Sequence, residues 1–305
     1  MQRFTCMSAD GKTELAAYVT APAQPRAMVQ ISHGMCEHIL RYEGFAEYLA
    51  SQGFLVFGHD HLGHGGSAKS DEDLGFVASR GGAALLVEDV HRLSLKMKEE
   101  HPDLPIILFG HSMGSFIARW VLEKYGNDYA AGVICGTGGP DTPAGAGRLL
   151  ASLMILFKGE RYRSPLLRSI SFSGYLKGLG EDCDRNAWLT RDAAVVEGYN
   201  ADPRSGFLFT LRAYHDLFTL VSHVSRRAWA KHMPKDLPLL VVSGEADPVG
   251  AWGKGVRKVD KRLRDAGVTD VTLRLYPEMR HEILNEFGKE AVWEEICQWM
   301  VSKRK

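Results

Sequence analysis

The chain has 305 residues, 45% hydrophobic and 24% charged, a balance that excludes a wholly disordered, collagen-like or coiled-coil protein. Lysine plus arginine and aspartate plus glutamate number 37 each, so the basic composition expected of a nucleic-acid binder is missing and no nucleic-acid partner is expected. The five cysteines, Cys6, Cys36, Cys135, Cys183 and Cys297, are scattered without a CxxC pair, which argues against both a disulfide framework and a structural zinc site.

The first residues, Met1-Gln2-Arg3-Phe4, lack the apolar stretch of a secretory leader, and no run approaches 18 apolar residues; a cytoplasmic protein is expected. Arg3–Met7 and Glu14–Thr20 read as strands around an Asp10-Gly11 hairpin turn. Ala27–Ile31 is a third strand, Tyr42–Ser51 a helix closed by Gly53, and Phe54–Phe57 a fourth strand. Gly81–Glu100 carries Leu86, Val90, Leu93 and Met97 at helical spacing, followed by strand Ile106–Phe109, helix Met113–Tyr125 and strand Ala131–Cys135. The alternation then stops. From about 136 to 232 there are helical patches and loops without strands, after which it resumes with strand Leu237–Val242, helix Lys254–Asp265, strand Val271–Tyr276 and helix Glu286–Met300. Short apolar strands alternating with helices imply a mostly parallel sheet covered on both faces, built from 1–135 and 233–305. A mostly helical cap, 136–232, is inserted after the sixth strand, where loops lie near the catalytic edge of such sheets.

The most informative string is Gly110-His111-Ser112-Met113-Gly114, directly after a buried strand and directly before a helix. This is the setting of a nucleophile elbow, in which glycines relieve a crowded turn and the following helix directs free amides toward Ser112. A serine hydroxyl needs a base and an orienting acid, and in the elbow class the chain order is serine, acid, histidine. Asp247 follows the strand ending at Val242, and His281 follows the strand ending at Tyr276, so both fall on the edge of the sheet that carries Ser112. Glu245 is the rival acid, and Glu282 adjoins the base. The Met113 amide is one expected oxyanion donor; the Met35 amide, in the loop His33-Gly34-Met35-Cys36-Glu37-His38, is the other.

His59, His61 and His64 superficially match a binuclear metal signature, but Gly63 stands where the acidic ligand is required and Asp60 falls between the first two histidines. The favoured reading is a structural loop in which Asp60 and the histidines bond to backbone. Cys36 has no elbow context and reads as a packed thiol.

The strings HGMCEH (33–38), HDHLGHGGS (59–67), GHSMG (110–114), GEADPVG (244–250) and RHEILNE (280–286) resemble the α/β-hydrolase superfamily, and within it the monoacylglycerol lipase and bacterial lysophospholipase-like group. WLTRDAAVVEGYNADP (188–203) and GFLFTLRAYHDLF (206–218) resemble the cap of that group. The resemblance implies a serine esterase or lipase with Ser112, Asp247 and His281 as its triad, Met35 and Met113 as its oxyanion amides, and no cofactor or metal. The substrate it implies is a monoacyl lipid ester, a monoacylglycerol or lysophospholipid. The alternatives are a carboxylesterase of small or aromatic esters and, from another class, an inactive hydrolase-fold binding protein.

The apolar run Leu149–Phe157 is too short to span a bilayer and suits cap packing or the lip of an acyl pocket. With Arg148, Lys158, Arg161, Arg163 and Arg168 around it, the cap is also the expected place of transient membrane or micelle contact.

Overall fold

The computed structural model describes residues 1–303, which build one eight-stranded sheet and ten α-helices among the described residues. The strands are β1 (Gln2–Met7), β2 (Glu14–Thr20), β3 (Ala27–Ser32), β4 (Phe54–His59), β5 (Ile106–His111), β6 (Ala131–Cys135), β7 (Leu239–Gly244) and β8 (Val271–Tyr276). They lie in the order β1-β2-β4-β3-β5-β6-β7-β8; β2 is antiparallel to β1 and β4, and all other pairs are parallel. β3 to β7 are buried along their whole length, which is why each reads as a continuous apolar run rather than an alternating one. β5 lies near the middle of the sheet, between β3 and β6, so the turn leaving its carboxyl end is ringed by the loops that follow those two strands.

The helices are α1 (Glu43–Ser51), α2 (Gly82–Glu100), α3 (Met113–Tyr125), α4 (Ala144–Lys158), α5 (Pro165–Ser171), α6 (Ala193–Ala201), α7 (Leu211–Ser225), α8 (Arg227–His232), α9 (Lys254–Asp265) and α10 (Lys289–Ser302). Phe45 and Leu49 of α1 join Ile296 and Met300 of α10 on one face of the sheet. Leu86 and Leu93 of α2, Ile117 and Val121 of α3, and Val259 and Leu263 of α9 cover the other. The architecture is therefore a mostly parallel sheet flanked by helices, with a helical insertion after the sixth strand. Within that insertion α4 packs on α7, the absence of a side chain at Gly147 letting the Phe218 ring come close; α7 also rests on α2 and α3, and α8 on α3 and α9.

Several element boundaries differ from the sequence expectation: β3, β4, β5 and β7 run one or two residues further at their carboxyl ends, and some elements start elsewhere. The seventh strand starts at Leu239 rather than Leu237. Tyr42 ends a 3₁₀ turn, Ile39–Tyr42, instead of opening α1. The last helix begins at Lys289 rather than Glu286. Glu286 is buried and accepts from the Arg280 amide at 2.9 Å and from the Arg191 amide at 3.1 Å, which holds it in the preceding loop. Gly288, at φ +78°, then turns the chain into the helix. Among the described residues no helix is long and apolar enough to cross a membrane.

Candidate active site

Two glycines and a strained serine make the turn after β5. A side chain at Gly110 would meet the Gly114 carbonyl and come within 2.6 Å of Ala118 Cβ; one at Gly114 would collide with the Ser32 carbonyl at the end of β3. The Gly-x-Ser-x-Gly spacing is thus what allows α3 to start directly against β3. Ser112 between them adopts φ +53° and ψ −120°, a conformation costly for a residue with Cβ, held by its amide on the Cys135 carbonyl at 3.0 Å and by Ser115 donating to its carbonyl. The side chain stays partly accessible.

His281, in the loop after β8, presents Nδ1 to Asp247 Oδ2 at 3.0 Å. Asp247, in the turn after β7, also accepts from Ser243 Oγ at 3.1 Å and from the Val249 amide at 2.8 Å. Burial pushes its pKa up, but His281 and these two donors outweigh burial and hold the carboxyl below its ordinary value. A carboxylate at Nδ1 requires that nitrogen to carry the proton, so Nε2 is left with its lone pair. Nε2 is buried and, among the described residues, makes no hydrogen bond to Ser112 Oγ or to any other group. Glu245 is exposed and lies 3.4 Å from Arg257, away from the histidine.

The loop after β3 lies against Ser112: a Cβ on Gly34 would stand 3.1 Å from Ser112 Cβ. Among the described residues neither the Met35 nor the Met113 amide donates to a backbone carbonyl. Met113 opens α3, where amides have no intrahelical acceptor. The loop is braced from both sides. Glu37 Oε1 accepts the Gly34 amide from beneath, while the Cys36 carbonyl accepts the Gly206 amide at 2.9 Å and the Tyr199 hydroxyl at 3.0 Å from the insertion. Cys36 itself is buried at φ +54°, and burial drives its thiol pKa upward, the opposite of what a thiolate nucleophile needs.

Beneath the site lies a buried charged cluster that motif reading missed. Arg41 Nη1 donates to Glu37 Oε2 at 2.5 Å and to Glu282 Oε1 at 2.6 Å, and Nη2 donates to Glu282 Oε2 at 2.7 Å. Burial raises both carboxyl pKa values. For Glu282, Arg41 more than offsets this; for Glu37, His111 at 3.6 Å and then the charge of Arg41 do so, and both remain below the usual carboxylate range. The only sequence signal was the four-residue spacing of Glu37 and Arg41, since Glu282 pairs with them from 241 residues away.

The histidine-rich loop bonds internally. Asp60 accepts the Ile39 and Gly66 amides, His33 Nε2 accepts the His61 amide at 3.0 Å, His61 Nε2 lies 3.1 Å from Ser32 Oγ, and His64 Nδ1 lies 3.0 Å from the Leu62 carbonyl. Among the described residues no group of three or more His, Cys, Asp or Glu side chains could hold a metal ion.

Comparison with known proteins places this geometry. The family described as serine aminopeptidase, S33 matches residues 23–288. A monoacylglycerol lipase of Mycolicibacterium smegmatis is 32% identical over 293 residues, covering 93% of this chain and 91% of that protein. A human monoglyceride lipase is 30% identical over 305 residues, covering 98% and 89%. Among solved structures, a thermostable carboxyl esterase from Bacillus coagulans in complex with glycerol superposes with a TM-score of 0.94 at 28% identity, covering 100% of this chain and 99% of that one. With a buried His–Asp pair and, elsewhere in the fold, a strained serine at a helix start, the chain belongs to the α/β-hydrolase superfamily, in the S33 serine aminopeptidase family, as a serine hydrolase of the esterase and lipase kind related to the monoacylglycerol lipases.

Proposed function

We propose that the protein hydrolyses monoacyl esters of lipids, monoacylglycerol or lysophospholipid, through Ser112, His281 and Asp247. His281 Nε2 takes the Ser112 proton as Oγ attacks the ester carbonyl; the Met35 and Met113 amides receive the oxyanion; His281 then protonates the leaving alcohol and activates the water that releases the acid. Asp247 keeps Nδ1 protonated throughout. The observation that carries this reading is the 3.0 Å Asp247–His281 bond, which leaves Nε2 without a hydrogen-bond partner among the described residues. No step calls for a metal or cofactor.

The lipid part of the reading rests on the insertion and on relatives named as monoacylglycerol lipases. In α4, Leu150, Met154 and Ile155 pack inward, while Leu149, Leu153, Leu156 and Phe157 face solvent, the last two 77% and 84% exposed. Leu166 and Ile170 of α5 are exposed as well, and Arg148, Lys158 and Arg168 stand among them. An apolar face edged by cations suits contact with a membrane or micelle from which a lipid is drawn.

The test is kcat/KM for p-nitrophenyl esters from C2 to C16, joined to assays with monoacylglycerol, lysophospholipid and an aminoacyl arylamide. An optimum at medium or long chains is expected, because each buried CH₂ contributes about 0.8 kcal/mol until the pocket ends. A C2 optimum falling steadily with length leaves a small-ester carboxylesterase. Turnover of the arylamide alone points to peptide chemistry.

A further inference from the structure

His111, the residue before Ser112, has both ring nitrogens in contact with groups that can only accept. Tyr42 Oη lies 2.8 Å from His111 Nδ1 and 2.7 Å from Glu37 Oε1. Glu37 is ionised, since it also takes the Gly34 amide and the Arg41 guanidinium, so the single Tyr42 hydroxyl proton goes to Glu37. Nδ1 must then donate to Tyr42. On the other side Nε2 lies 3.3 Å from the His281 carbonyl oxygen, which has no proton to give.

The charge count agrees. Glu37 and Glu282 carry two negative charges and Arg41 one positive, leaving the cluster one cation short of neutrality. The groups around the His111 ring are Glu37 at 3.6 Å and Tyr42 from the segment after β3, and His281 and Glu282 from the loop after β8, with Arg41 held on the far side of the two carboxylates; Cys135 is its register partner on β6, with a thiol that burial keeps protonated. Burial opposes a charged ring here, and the Glu37 carboxylate overcomes it, so that His111 keeps its proton above the ordinary imidazole range.

We propose that His111 is a resident imidazolium: it completes the buried Glu37–Arg41–Glu282 cluster, anchors the His281 backbone, and holds a fixed positive charge against the His281 ring. The two ring centres are 4.7 Å apart. A charge fixed at that distance acts on the positive charge the His281 ring takes up when it receives the Ser112 proton. His111 is a positioning residue, acting through His281 and not on the ester.

The first test needs no substitution. In the intact protein labelled with ¹³C and ¹⁵N, both His111 ring nitrogens, assigned through the backbone resonances, should resonate at imidazolium positions from pH 6.5 to 8. One nitrogen at the unprotonated position in that range overturns the proposal, whether or not H111Q folds. The second test reads the acid limb of kcat/KM against pH, and it rests on the triad proposed above. Folded H111Q should change that limb measurably; an unmoved limb removes the electrostatic role. Because the spectroscopic measurement does not involve turnover, loss of the triad reading and loss of this one are separately visible.

Discussion

At the scale of single residues, the triad assignment and the backbone of the turn make separable demands. S112A should fold with an unchanged thermal midpoint and lose kcat by about a thousandfold or more, because the oxyanion amides and binding groups remain without a nucleophile. D247N should be crippled, since an amide in place of the carboxylate permits the wrong His281 tautomer, whereas E245Q, on an exposed side chain, should keep near-normal turnover; the reverse order of damage moves the acid to Glu245. Ser112, Asp247 and His281 could be singled out as candidates because each follows a strand of the sheet, in a fixed chain order. Glu37, Arg41 and Glu282 could not. A charge pair between a loop at 37–41 and one at 282 has no local periodicity, and only the parallel sheet, which sends both loops to one edge, brings it together.

At the scale of elements, α3 approaches β3 so closely that Gly114 leaves no room for a side chain. G114A should be severely destabilised or fail to accumulate, because the added methyl meets the Ser32 carbonyl, which is fixed in the sheet and cannot move aside. A soluble G114A with wild-type stability contradicts that packing. The apolar run Leu149–Phe157 marked a helix, but its period could not say which side faced the protein, since apolar residues occur all round it. In the fold Leu153 faces solvent and Met154 packs inward. L153D should therefore leave stability within about 1 kcal/mol and hydrolysis of a soluble acetyl ester intact, while weakening binding to anionic lipid vesicles. M154D should lower the thermal midpoint through an unpaired acid on a packed face. Equal vesicle binding by wild type and L153D would take that face out of the lipid reading.

At the scale of the whole molecule, buried histidines tie stability to acidity. His59 is fully buried, neither ring nitrogen has a partner, and burial lowers its pKa to about 4. The unfolded chain takes up a proton there below about pH 6.5 while the folded chain does not, so this residue costs stability as the pH falls from about 6.5 to about 4. H59L removes that slope. Its stability relative to wild type, from urea unfolding, should rise by up to about 1.4 kcal/mol per pH unit across the window and stay flat above it. A difference independent of pH would show that His59 is not the neutral buried group its surroundings require.

The Cys36 carbonyl adds one more property of the whole chain. It accepts from Gly206 and Tyr199 of the insertion, and the Met35 amide lies two peptide units before it. Displacing residues 199–206 from the core breaks both bonds and frees the loop that aims that amide. With Met35 as oxyanion donor, cap closure and oxyanion binding become thermodynamically reciprocal: whatever tightens one tightens the other by the same factor. A boronate on Ser112 should then slow hydrogen exchange at the Gly206 amide, and Y199F should bind the boronate less tightly than wild type. The cap would in that case be a ligand-operated latch, closed by charge that develops in the reaction itself.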